Sequence, residues 1–145
     1  MRKIVFGLLL VLLSAAAFGK GKPEQYVYLF DLVKKQPYKA VWQKDIWQQV
    51  KRQPHGMNVA WVNGANGVSS PVETVRIDGR KYYLATLCEP HNCGVHMMYV
   101  LFDSRKAVAM RQVDLDVYVY HGNPNRTLRD YLNDWRKAEM KKRGY

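Results

Sequence analysis

The chain has 145 residues, 48% of them hydrophobic, with 23 Lys and Arg against 12 Asp and Glu for a formal net charge of +11. That length and apolar content suit one packed domain and exclude an intrinsically disordered chain. Two cysteines exclude a disulfide-dense scaffold, and one intramolecular bridge is their simplest accounting.

In chain order, Met1-Arg2-Lys3 is a basic start, residues 4–13 are an apolar run interrupted only by Gly7, and Ser14-Ala15-Ala16-Ala17-Phe18 offers small residues at a peptidase's spacing. This pattern predicts a secretory signal over residues 1–17, cleaved after Ala17, and a single domain over 18–145. The run is too short to span a bilayer comfortably, and no later stretch is long and apolar enough to do so. The mature chain is therefore expected to be exported, to a compartment where disulfides persist. Lys20-Gly21-Lys22-Pro23 reads as a flexible new N-terminus.

Tyr26, Leu29, Phe30 and Val33 recur at helical spacing and predict a helix over 26–35, broken at Gln36-Pro37. Pro37 suits the first position of a second helix running to about Val50, with Tyr38, Val41, Trp42 and Ile46 on one face. Pro54-His55-Gly56 ends it. The apolar period then changes from 3.6 to 2, starting with a short piece over 59–62 and a loop over 63–67. Strands are predicted over 72–77 and 81–87, joined by the hairpin signal Asp78-Gly79. Further strands are predicted over 96–102, 107–113 and 117–120. A last helix follows, with Asn123 as N-cap, Pro124 in its first turn, Leu128, Tyr131, Leu132 and Trp135 as its buried face, and a cationic end over 136–143. The order predicts an α+β fold: an antiparallel sheet of about five strands flanked by N-terminal and C-terminal helices.

The positive excess is not spread evenly. Residues 20–52 carry eight positive and three negative side chains, 126–145 carry seven and three, and 53–125 carry six of each. Nucleic-acid binding is the usual reading of so basic a chain, and export argues against it. Attraction to an anionic envelope surface and Lys-rich solvated helix faces are the alternatives.

The chemistry concentrates in Cys88-Glu89-Pro90-His91-Asn92-Cys93, which joins two neighbouring predicted strands at an edge of the sheet. Four readings stay open on the residues alone. A bridge would close a short ring whose global stabilisation is only roughly 2 kcal/mol but which, with the fixed φ of Pro90, preorganises the tip for binding. The same bridge could merely pin a hairpin. Cys88, His91, Cys93 and His96, with Met97 and Met98 nearby, could instead hold zinc or copper, although the spacing matches no common zinc pattern. A Cys-His nucleophile needs a free thiolate and a base in a cleft. Elsewhere, His55 reads as solvated, His121 as the end of a strand, and Asp114-x-Asp116 as a turn. No spaced acid pair, nucleophile elbow or phosphate cradle points to an enzyme or to a cofactor.

At these residues the chain resembles the Ivy family, inhibitors of vertebrate (C-type) lysozyme, whose mark is a disulfide-closed Cys-Lys-Pro-His-Asp-Cys loop. The stretches Tyr28-Leu29-Phe30-Asp31-Leu32-Val33-Lys34-Lys35, Pro37-Tyr38, Gly67-Val68-Ser69-Ser70-Pro71-Val72, Tyr99-Val100-Leu101-Phe102 and Gly122-Asn123-Pro124 follow the family pattern in order. The resemblance implies a periplasmic protein without enzymatic activity, protecting peptidoglycan in the envelope. Its Cys88–Cys93 disulfide would present Glu89, Pro90, His91 and Asn92, with His91 contacting both catalytic carboxylates of a C-type lysozyme or a related peptidoglycan glycosidase. It also implies restraint of the cell's own lytic transglycosylases, and family members can be homodimers. Glu89 and Asn92 stand where the family has Lys and Asp. Glu89 near an acidic cleft should weaken binding unless it faces away or pairs with a rim arginine. C-type lysozymes are commonly basic, so the net charge of this chain should slow association at low salt.

Overall fold

The computed structural model describes residues 27–53 and 58–144. The signal segment, the flexible start and His55 lie outside the described residues. The first helix, α1, is shorter than its periodicity suggests, covering only Leu29–Leu32. The second is one helical run in three parts: α2 (Tyr38–Trp42), a π-helical turn (Gln43–Trp47) and α3 (Gln48–Val50). Its buried face is Val41, Trp42, Ile46 and Val50, while Tyr38 stands half-buried, edge-on to Tyr83 and Phe102.

The apolar piece at 59–62 is not extended. It belongs to a 3-10 segment, Ala60–Ala65, whose kink falls at Asn63 and Gly64. Two indole contacts explain the departure from period 2. Trp42 Nε1 donates to Val62 O at 2.9 Å, and Trp61 Nε1 donates to Asn58 O at 3.0 Å. Both carbonyls thereby serve side chains instead of a strand ladder.

The sheet contains β1 (Val68–Ser69), β2 (Glu73–Ile77), β3 (Arg80–Cys88), β4 (Met97–Phe102), β5 (Ala107–Asp114) and β6 (Val117–His121). All pairs are antiparallel in the order β1-β3-β4-β5-β6, with β2 also on β3. The Asp78-Gly79 turn has positive φ at both residues, 49° and 74°, as a two-residue hairpin of the primed type requires.

Every residue of β4 is buried because helices cover both faces of the sheet. Met98, Val100 and Phe102 pack with Leu29, Trp42 and Ile46, while Met97, Tyr99 and Leu101 pack with Leu128 and Leu132 of the C-terminal helix. That helix, α4, spans Arg126–Lys142. Its N-cap is Asn125, not Asn123, and the Asn125 side chain accepts from Leu128 N at 3.0 Å. Asn123 is instead in the left-handed region at φ 51°, after Gly122 at 76°. A Cβ on Gly122 would lie 1.9 Å from Ala107 O, so the chain passes too close to β5 for any larger residue.

A polar group is buried under the first helical layer. Arg111 and His121 are 1% and 0% exposed. Arg111 donates from Nε to His121 Nε2 at 3.3 Å and from a terminal nitrogen to Gln53 Oε1 at 2.6 Å. Burial first, and the Arg111 charge second, push the His121 pKa down to about 4. The unfolded chain, with an ordinary value of 6.5, therefore takes up this proton first on acidification. Stability is full above pH 6.5 and falls between pH 6.5 and 4, by up to about 3 kcal/mol. Urea unfolding across that window should show this fall in the wild type and a flatter profile in His121→Gln.

Candidate functional site

β3 ends at Cys88 and β4 begins opposite it at Met97. The strands so joined are interior strands of the sheet, each with partners on both sides, and not edge strands. Residues 89–96 project beyond the paired ends. The two sulfurs are bonded as Cys88–Cys93. Glu89 N donates to His96 O at 3.1 Å, carrying the ladder one step past the strands.

Within the bridge the backbone makes a tight turn, with Asn92 N donating to Glu89 O at 3.0 Å. Pro90 occupies the second position and His91 the third, with φ 68°. This is the pattern of a type II turn, in which proline presets the second residue and the third must be left-handed. Glycine or asparagine is usual there, and a histidine costs on the order of 1–2 kcal/mol. A second turn returns the chain, with Val95 N and His96 N both donating to Asn92 O at 3.1 and 2.9 Å.

The side chains divide by direction. Pro90, His91 and Asn92 are exposed, so the imidazole stands at the tip. Glu89 is turned inward and is 8% exposed. Its carboxylate meets His96 Nδ1 in a close hydrogen-bonding contact and accepts from Asn92 Nδ2 at 3.0 Å. The His96 contact, helped by Asn92 and Asn58 and opposed by burial, holds the Glu89 carboxyl below its usual range. The Glu89 carboxylate thus finds its partners inside the loop.

The family-like stretch beginning at Gly67 has a local reason. Val68 pairs with Cys88, and a Cβ on Gly67 would sit 2.3 Å from Cys88 O. Only glycine lets this strand close against the base of the loop. Ser70 seals the next step, its N donating to Thr86 O at 3.1 Å and its Oγ accepting from Thr86 N at 2.9 Å.

The fold brings Cys88, Glu89, Pro90, His91, Asn92 and Cys93 together. It removes the metal reading, because the bridge consumes both thiolates and His96 is engaged by Glu89. Among the described residues no group of three or more His, Cys, Asp or Glu side chains is placed to hold an ion. The same bridge leaves no thiolate for nucleophilic chemistry. Asp114 and Asp116 lie at the β5–β6 turn, where Asp114 Oδ1 accepts from Leu115 N at 2.8 Å. The pair that sequence reasoning missed is Glu89 with His96. Its signal lies in the strand register, since Cys88 opposite Met97 makes positions 89 and 96 the next cross-strand neighbours, and no local sequence cue gives that register.

Removing the Glu89 carboxylate should loosen this loop. Glu89→Ala is expected to destabilise the protein by about 1–3 kcal/mol, the usual consequence of breaking buried hydrogen bonds to a charged group. It should also speed hydrogen exchange at the amides of Asn92, Val95 and His96. Exchange measured by NMR on wild type and variant checks this, and unchanged protection would show that the backbone turns suffice.

Comparison with known proteins places this geometry. Residues 45–143 match the family model described as inhibitor of vertebrate lysozyme (Ivy). A Pseudomonas aeruginosa protein named inhibitor of vertebrate lysozyme is 31% identical over 139 aligned residues, covering 85% of this chain and 87% of the relative. An uncharacterized protein of Yersinia pestis is 30% identical over 116 residues, covering 70% of this chain and 71% of its own. The match spans the whole sheet, the bridged loop and all of α4, and the chain belongs to the Ivy family of vertebrate lysozyme inhibitors.

Proposed function

We propose that this protein is a periplasmic inhibitor of C-type lysozyme, exported by a signal over residues 1–17 that is cleaved off, and that it acts by occupying a catalytic cleft and has no turnover of its own. The observation that carries the proposal is the exposed His91 at the apex of a covalently closed, internally hydrogen-bonded loop on two interior strands. A retaining glycosidase holds its two carboxyl groups about 5–5.5 Å apart. An imidazole has a nitrogen on each side of its ring, and the protonated form donates from both. One His91 can therefore bridge the pair with charge-assisted hydrogen bonds in a water-poor groove. Its left-handed backbone is fixed before binding, so little conformational freedom is lost on entry. Inhibition is competitive and steric.

His91→Ala tests this directly. A buried charge-paired contact at an interface centre typically carries 2 kcal/mol or more, so the inhibition constant in a cell-wall lysis assay should rise by at least about 30-fold. The melting temperature should change little, since the ring is exposed and alanine keeps the same Cβ at φ 68°. Undiminished inhibition by the folded variant would refute the assignment.

A further inference from the structure

We infer that the loop is the centre of a wider docking face, and that the β5–β6 turn around Leu115, with the apolar recess behind it, receives the rim of the same glycosidase. This rests on the proposed entry of His91 into that enzyme's cleft. The need for more surface is quantitative. A stable protein–protein interface takes roughly 20–30 residues a side, and the loop exposes three at its tip, Pro90, His91 and Asn92.

The sheet register shows where the rest lies. β5 runs back toward the loop, with Met98 opposite Arg111, so its turn into β6 emerges at the sheet end that carries residues 89–96. On the other side Val68 pairs with Cys88. The large apolar side chains left exposed among the described residues are Val27, Val68, Leu115 and Val117, and Leu115 is the most exposed at 68%. Three of these four flank the loop. At about 4.8 Å per strand, Val68 and the β5–β6 turn lie roughly 14–19 Å apart, within the diameter of one standard interface.

The turn is held ready. A register shift between Gln112 and Asp114 re-aims it. Gln112 Nε2 donates to Leu115 O at 2.9 Å, and Leu115 N donates to Asp114 Oδ1 at 2.8 Å. Between the turn and the loop's return limb opens a cavity of about 680 Å³, walled by Val95, Met97, Tyr99, Leu115, Tyr118 and Met140. Asp116 and Arg143 border it with opposite signs, so no single-sign field governs entry. A preformed apolar recess beside a central polar anchor is where a partner's aromatic or aliphatic side chain contributes most. Continuity with the loop assigns it to the partner the loop engages, rather than to a second copy of this chain.

Full-length mature protein, with a purified C-type lysozyme as probe, tests the inference by titration calorimetry and dissociation kinetics. Leu115→Asp should raise the dissociation constant at least tenfold, mainly through faster dissociation, and Leu115→Met should stay within about twofold of wild type. Thermal unfolding should not change, since the side chain is exposed. Wild-type affinity in Leu115→Asp, alongside lost affinity in His91→Ala, overturns this inference and leaves the loop's role standing. A wild type that does not bind the enzyme overturns both. Sedimentation showing a wild-type dimer that Leu115→Asp dissociates, with lysozyme affinity retained, assigns the face to self-association and overturns the inference.

Discussion

The inward turn of Glu89 is the constraint on which the functional end of the molecule depends. A carboxylate two residues from His91 would otherwise stand beside whatever the imidazole approaches. At about 6 Å and an effective dielectric near 20, two carboxylates repel by roughly 3 kcal/mol, enough to cancel a good contact. Drawn back against His96 and Asn92 at 8% exposure, the Glu89 carboxylate has its hydrogen-bond partners within the chain and stays off the tip. The same contacts brace the turn that holds His91 left-handed, so one buried group settles both the electrostatics and the shape of the tip.

That tip is useful only on a stiff base. The loop leaves β3 and enters β4, both interior, and β4 is buried throughout because α1–α3 cover one face of the sheet and α4 the other. Gly67 then allows β1 to close on Cys88 from the side. Movement of the loop base would disturb packing in both layers at once. Local opening is therefore expected in the outer part of the loop rather than in the strands beneath it.

The sheet was legible in the sequence because its cues are local. Alternating apolar residues and the Asp78-Gly79 turn each act within a few positions, and the bridged loop was visible from two cysteines and a proline. What escaped notice depends on distant partners. Residues 59–62 have a strand-like composition, yet the Trp42 indole claims a carbonyl there across 20 positions. Asn123 and Asn125 are equally good caps in isolation, and the close passage of Gly122 over Ala107 decides between them. His96 could face either side of a strand until the Cys88–Met97 register set it opposite Glu89. The buried pairing of Arg111 with His121 gave no sign at all, because a basic residue in a strand ordinarily marks a solvated face.

Net charge is a poor guide to what this protein can approach. Its excess lies in residues 20–52 and 126–145, and the residues between are balanced. At physiological ionic strength the Debye length is about 8 Å, so solvated charges farther than that from an approaching surface are largely screened. At the loop end the acidic Glu89, Asp114 and Asp116 stand against Arg143 at the near end of α4, so these groups leave that end locally acidic in an otherwise basic chain. In the proposed complex, repulsion between the solvated cations and a basic partner would slow encounter in dilute buffer and fade with added salt, whereas a contact made by a dry imidazole and the apolar residues beside it would be much less sensitive to salt. Separating the solvated charges from the contacting surface would let so basic a chain engage a basic partner.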